Sequence, residues 1–276
     1  MRCFTLLYED WKEQYVSSIS VDVPSVSGEV SCFGMGGSGV ACEIMRAFYP
    51  LNKDIKNSDT LIVLSYSGNT SETLRVMKEF KGRVIAITSG GKISELNVEK
   101  VLIKGGLQPR FAFPQLFTPL VKMLRPDLVN GLIEGIDNER AKALAKELFS
   151  YIRDKIPVFY GSTFLGVAKR FKQEINENGK YPAFFGEIPE VNHNEVEGYV
   201  HGERLAPVVF AGNKLDEVTS KLIGAKTVRI ESIRDVSFLI QTAGFLSLEV
   251  AREMNEDPTL LHKIPEGRKQ VERLDF

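Results

Sequence analysis

Between residues 29 and 90, three short runs, "EVSCFG", "TLIVLSYSG" and "RVIAITSG", are continuously apolar rather than alternating, and stretches with helical spacing separate them. A strand with one face in water alternates apolar and polar residues, whereas a continuous run must be covered on both faces. Helices supply that cover when each follows a strand, and the crossover returns the chain to the same end of the sheet. The result is a parallel α/β layer. The spacing predicts helices from about Val40 to Phe48 and through "SETLRVMKEF".

The regularity stops near Arg125, where "RPDLVNGLIEGIDN" sets Pro126, Gly131 and Gly135 against any regular element. A boundary is expected there, between residues 1–126, with a leading helix, and residues 127–276, with a C-terminal helix. Beyond it, Ala141, Leu144, Ala145, Leu148, Phe149 and Ile152 form one helical stripe. Strands at "IPVFYG", "APVVFAG" and "TVRIES" follow, then an amphipathic helix from about Val236 to Asn255. "VFYGSTFLGVA" echoes "CFGMGGSGVA", and the later strands echo their counterparts, so the chain reads as two copies of one α/β unit.

Composition narrows the partners. The 35 basic residues balance 36 acidic ones and no basic block recurs on one face, so neither nucleic acid nor a membrane surface is expected as partner. Cys3, Cys32 and Cys42 are odd in number and lack C-x-x-C spacing, which argues against a disulfide framework or a cysteine zinc site and fits a reducing cytoplasm. No run reaches the roughly 18 apolar residues of a membrane span, and "MRCFTLLYEDWKEQY" has acidic residues where a signal peptide is apolar. A cytoplasmic protein with a small-molecule substrate is expected.

Gly34, Gly36 and Gly39 match the dinucleotide pattern G-x-G-x-x-G by letter. The context fails, because Asp54, at the ribose-binding spacing, sits in the polar "PLNKDIKNSD" rather than at the end of a buried strand. No G-K-[ST] follows, so this is not a P-loop either. The next strand exit, "VLSYSGNTSET", crowds Ser65, Ser67, Thr70, Ser71 and Thr73 around a helix start, and Ser38 lies at the matching place after the first strand. Hydroxyls and free N–H groups at a helix N-terminus suit a phosphate, although a single Ser or Thr more often caps the helix.

Taken in order, "GMGGSG", "LSYSGNTSET", "GLQPRFAFP" and "NENGK…NHNE" resemble the archaeal and bacterial bifunctional phosphoglucose/phosphomannose isomerases, members of the sugar isomerase (SIS) domain superfamily. The resemblance covers nearly the whole chain. It implies two SIS domains and a homodimer with active sites at the interface. It also implies a loop of Gly36, Gly37 and Ser38 around the sugar phosphate, with phosphate-binding hydroxyls at Ser65, Ser67 and Thr70. Arg110 matches the arginine beside the reacting carbons, Glu177 the catalytic base, and His193 the ring-opening histidine that reaches in from the partner subunit.

These residue types suit the chemistry. Aldose–ketose interconversion removes a proton from C2 and returns it to C1 through an enediolate, work one carboxylate can do. A fixed guanidinium stabilises the enediolate charge, and a histidine titrates near neutrality. Glu177 could instead only support its helix through an i, i+3 contact with Lys180. "HNE" lacks a second histidine or a cysteine cluster, so no metal and no cofactor are expected. His201 and His262 read as surface residues. At the C-terminus the family carries a helix with a lysine facing the site, whereas "DPTLLHKIPEGRKQVERLDF" inserts Pro265 and Gly267. Arg268 or Lys269 would replace that lysine, with Lys269 taken as the substrate-binding residue. Leu261 or His262 would stand at a threonine position linked to acceptance of mannose 6-phosphate.

Overall fold

The computed structural model describes residues 6–271. Helices α1 (Leu6–Glu9) and α2 (Trp11–Ile19) precede a first sheet of β1 (Val30–Gly34), β2 (Thr60–Leu64), β3 (Arg83–Thr88) and β4 (Glu99–Leu102). Helices α3 (Gly36–Met45), α4 (Ser71–Glu79) and α5 (Gly91–Glu95) follow β1, β2 and β3 in turn. This sheet is parallel throughout, in the order β1-β2-β3-β4. Three helices, α6 (Phe113–Leu124), α7 (Val129–Glu134) and α8 (Asn138–Ile152), lead to a second sheet of β5 (Ile156–Gly161), β6 (Phe184–Glu187), β7 (Leu205–Ala211) and β8 (Lys226–Arg229). It too is parallel, but its order is β6-β5-β7-β8. Helices α9 (Leu165–Asn178), α10 (Lys214–Leu222) and α11 (Ile233–Glu253) follow β5, β7 and β8, and α12 (Ile264–Val271) comes last.

The continuous apolar runs are explained by burial on both faces. Along β2, Ile62 and Leu64 join the largest core while Leu61 and Val63 enter a smaller one beneath α4 and α5. In the second sheet, Phe159 and Phe210 face the large core, and Val158, Tyr160 and Val209 face another. The large core continues through both halves, taking in Val40 and Ile44 of α3, Phe117 of α6, Phe171 and Ile175 of α9 and Leu246 of α11. Each sheet therefore lays its inner face on a shared helical layer. Lys169 on α9 also reaches Glu43 on α3 at 2.8 Å.

Some expectations need correction. The helix after β1, α3, begins at Gly36 rather than near Val40, because the glycine loop itself forms the opening turn, with Ser38 N–H donating to Met35 O at 3.1 Å. Strands β4 and β6 lack the apolar signature, being four-residue edge strands with charged or exposed side chains. Against the expectation of free cysteines, Cys32 and Cys42 form a disulfide. Ten residues of separation bring a strand residue beside the second turn of the following helix, a proximity that a spacing rule does not encode. Cys3 lies outside the described residues. The expected C-terminal helix does form over Ile264–Val271 despite its proline, since Pro265 takes the second position of α12, where no intrahelical N–H bond is lost. Among the described residues no helix is long and apolar enough to cross a membrane.

Candidate active site

The first part of the site lies at the C-terminal ends of β1 and β2. Gly39 must be glycine, since a Cβ there would stand 2.3 Å from Gly34 O. The first and third glycines of the pattern thus let α3 start tightly against β1. Ser38, nearly buried, accepts from Tyr66 N–H at 3.3 Å and ties the two strand exits together. The Ser65 hydroxyl, also buried, donates to Thr70 Oγ1 at 3.4 Å, and Ser67 Oγ accepts from Asn69 N–H at 3.4 Å. Gly68 holds a left-handed φ of 65° and presses against β3's exit, where a Cβ would meet Gly90 O at 1.8 Å.

Thr70 occupies the N-cap position of α4, yet its side chain makes no capping bond. The capping interpretation therefore does not account for this hydroxyl. With Ser65 and Ser67 it surrounds a helix N-terminus able to accept an anion.

The second part centres on Arg110. Trp11 Nε1 and Gln14 Nε2 both donate to Phe111 O at 3.1 Å, and Arg170 Nη2 donates to Arg110 O at 2.7 Å, so the "QPRFAFP" loop is held through its carbonyls. Gly37 lies beside this loop, 3.6 Å separating its Cβ position from Arg110 N. The guanidinium is 3% exposed. Its Nε donates to Asn178 Oδ1 at 2.6 Å, Nη1 to Glu177 Oε2 at 3.2 Å and Nη2 to Pro258 O at 2.7 Å.

Glu177 and Asn178 share a face of α9 with Arg170 and Glu174, at spacings of three, four, seven and eight residues. Arg170 and Glu174 form a fully buried ion pair. Tyr8 Oη donates to Glu174 at 2.5 Å, while Asn178 Nδ2 reaches Tyr8 Oη at 2.7 Å and Ser247 Oγ at 2.8 Å. Burial, then the Glu174 charge, pushes the Tyr8 hydroxyl well above its usual range. Burial also raises Glu174, outweighing the Arg170 charge. This network fixes Asn178, and Asn178 fixes Arg110.

On the other side of Glu177 lies a cavity of about 410 Å³, walled by Glu177, Lys180 and Tyr181 and by Leu261, His262 and Lys263. Arg110 and the hydroxyls at β2 are not among its lining residues. The turn leading to its second wall is tied down by three successive carbonyls: Lys180 Nζ donates to Asp257 O at 2.8 Å, Arg110 to Pro258 O at 2.7 Å and Gln108 Nε2 to Thr259 O at 2.7 Å.

The structure thus brings Arg110 and Glu177 together, with Gly37 alongside. It does not bring His193 to them within one chain: His193 is exposed, in a 3-10 turn over Glu190–His193 that packs beside β6. Nor does it place Lys269, which is exposed on α12, in the cavity wall. The proposed i, i+3 contact between Glu177 and Lys180 is overturned, because α9 ends at Asn178 and Lys180 adopts φ of 52° with its amine on Asp257 O. Sequence reasoning missed Lys180 as a cavity residue, whereas Leu261 and His262, either of which is expected at the family's threonine position, both line the cavity. The "NGK" that follows Glu177 was the available signal for Lys180, although Gly179 keeps a helical φ of −79° and the left-handed turn falls on Lys180 itself, at φ of 52°.

Two parallel sheets over a shared helical layer, with an anion-ready strand exit and an inward carboxylate, place the chain in the class of two-sheet SIS proteins. A glucose-6-phosphate isomerase-like protein from Thermus thermophilus has this fold, with TM-score 0.66 and 17% identity over 98% of this chain and 99% of its own. The bacterial phospho-glucose isomerase C-terminal SIS domain family matches residues 137–271. The bifunctional phosphoglucose/phosphomannose isomerase of Thermoplasma acidophilum is 33% identical over 86% of this chain and 88% of its own length. The D-glucosamine-6-phosphate 4-epimerase of Sulfolobus acidocaldarius is 36% identical over 97% of this chain and 98% of its own. The chain belongs to the bifunctional phosphoglucose/phosphomannose isomerase family.

Proposed function

We propose that this enzyme interconverts glucose 6-phosphate and fructose 6-phosphate, and mannose 6-phosphate and fructose 6-phosphate, by proton transfer through a cis-enediol. The observation that carries this reading is the Glu177 carboxylate, held by the buried Arg110 at the edge of a cavity large enough for a sugar. The substrate phosphate docks on Ser65, Ser67 and Thr70 at the start of α4, with Gly36, Gly37 and Ser38 shaping the adjoining loop. Glu177 takes the proton from C2 and returns it to C1, and the Arg110 guanidinium, 3.2 Å from the Glu177 carboxylate, supplies the positive charge that offsets the enediolate. His193 of a second copy opens the sugar ring, which makes the working unit a homodimer. Aldose and ketose share one oxidation level, so the transfers need no electron acceptor, and the proposed route assigns the proton transfers and charge stabilisation to Glu177, His193 and Arg110, without metal or cofactor.

A second reading is epimerisation of glucosamine 6-phosphate at C4, favoured by the 36% identical relative that aligns end to end. One experiment separates them. Purified protein is incubated with fructose 6-phosphate or with glucosamine 6-phosphate, each with and without EDTA, and the products are identified by NMR. Glucose and mannose 6-phosphates from the first support isomerisation; a C4 epimer from the second alone replaces it. No turnover of either by folded protein overturns both readings, and loss of activity in EDTA alone overturns the metal-free mechanism.

A further inference from the structure

Lys180 stands two residues beyond the last residue of α9, in a left-handed conformation that an ordinary side chain rarely adopts. The turn lifts it away from the helix surface and across to the 257–259 segment. Its ammonium donates to Asp257 O at 2.8 Å and to Asn178 O at 3.3 Å. An ammonium has three donors, so one remains. The residue lines the cavity beside Glu177, whereas Arg110 is 3% exposed and has all three guanidinium nitrogens engaged. Lys263, the other cavity lysine, is exposed. Lys180 is therefore the cavity cation that the protein itself pre-positions.

We infer that Lys180 is a further catalytic residue, its ammonium donating a hydrogen bond to the substrate oxygen that turns negative as Glu177 removes the carbon-bound proton. This rests on the functional reading above. The C2–H electron pair moves into the enediolate and returns as Glu177 delivers the proton to C1, the C2 hydroxyl proton passes to the C1 oxygen within the cis-enediol, and the Lys180 proton stays on nitrogen throughout. A fixed donor aimed at developing charge stabilises the transition state more than the substrate. Burial, then the Arg110 charge, lowers the Lys180 pKa against the opposing pull of Glu256, Asp257 and Glu177. His262 and Lys263 face it across the cavity. The ammonium is the working form, so activity is lost as pH rises through the lowered value, on the acid side of the ordinary lysine range.

The test compares wild type, Lys180→Met and Lys180→Arg on whichever hexose 6-phosphate the wild type turns over, reading kcat, KM, the pH profile and the melting temperature. Lys180→Met is expected to lower kcat by about 10²-fold with the larger share of the loss in kcat rather than KM. Lys180→Arg should recover part of the rate and move the alkaline limb beyond the lysine range, because guanidinium does not titrate there. Wild-type kcat in Lys180→Met, or an unmoved alkaline limb in Lys180→Arg, overturns the assignment; if the methionine variant does not fold, the arginine profile decides. A wild type inert on every hexose 6-phosphate overturns the functional reading itself, and this assignment with it.

Discussion

After β1 the chain reads Gly34-Met35-Gly36-Gly37-Ser38-Gly39; after β5 it reads Gly161-Ser162-Thr163-Phe164-Leu165-Gly166. The outer glycines are shared, and in both places a helix starts against the strand it has just left. The inner positions differ. Phe164, nearly buried, stands where Gly37 leaves room beside Arg110, and Leu165 replaces the Ser38 hydroxyl. The helix after the next strand differs too. Thr70 leaves the N-terminus of α4 uncapped by its side chain, while Asn213 caps α10 by accepting from Leu215 N–H at 2.9 Å and Asp216 N–H at 3.1 Å, and donates to Ser162 Oγ at 2.8 Å. One copy of the unit has its strand exits open and the other has them filled. The second copy contributes instead through α9, which carries Glu177 and the buried network behind Arg110.

This division of labour can be broken at several points. The largest effect is expected from Glu177→Gln, which should cost about 10²- to 10⁴-fold in kcat while the melting temperature stays near wild type; a rate close to wild type would remove the second half's claim to the base. Next comes the disulfide, which closes the open loop of the first half between β1 and α3 and has no counterpart after β5. Closing a loop of this length constrains the unfolded chain by about 2–3 kcal/mol, so reductant or Cys42→Ser should lower the melting temperature, and a thiol titration of the native protein should show the pair oxidised. The smallest effect sharpens the comparison. Asn213→Ala should remove about 1 kcal/mol of stability through the lost cap and leave KM unchanged, whereas Thr70→Ala should raise KM for the sugar phosphate with little change in melting temperature. Equal behaviour of the two variants would mean that both helix starts serve only the fold.

Much of this arrangement was legible in the chain. The central strands announced themselves because a strand buried on both faces must be apolar at every position, and β2 is buried at all five of its residues. The hydroxyl cluster at the end of β2 was visible as a density of Ser and Thr, and Arg110 and Glu177 were each named through ordered motifs, but their 3.2 Å pairing was not. The edge strands β4 and β6 were not legible, since β4 buries only Val101 and β6 buries none of its four residues, so neither is under the burial that writes a pattern. The network behind the site was equally silent: Tyr8 and Glu174 are 166 residues apart, and Asn178 and Ser247 are 69 apart.

By itself the sequence determined the local terms: which segments become buried strands, where glycine permits a tight turn, and which residue types could hold a phosphate or move a proton. The tertiary structure alone decided which of them meet. The Cys32–Cys42 bond depends on how closely α3 packs back on β1, and the three carbonyls that latch the 257–259 turn and the amine of Lys180 beside Glu177 depend on the distance between elements remote in sequence or on a single backbone angle. The physical reason is that periodicity and propensity act over a few neighbouring residues, whereas a site is made where packing of the shared helical layer leaves polar groups no partner but one another.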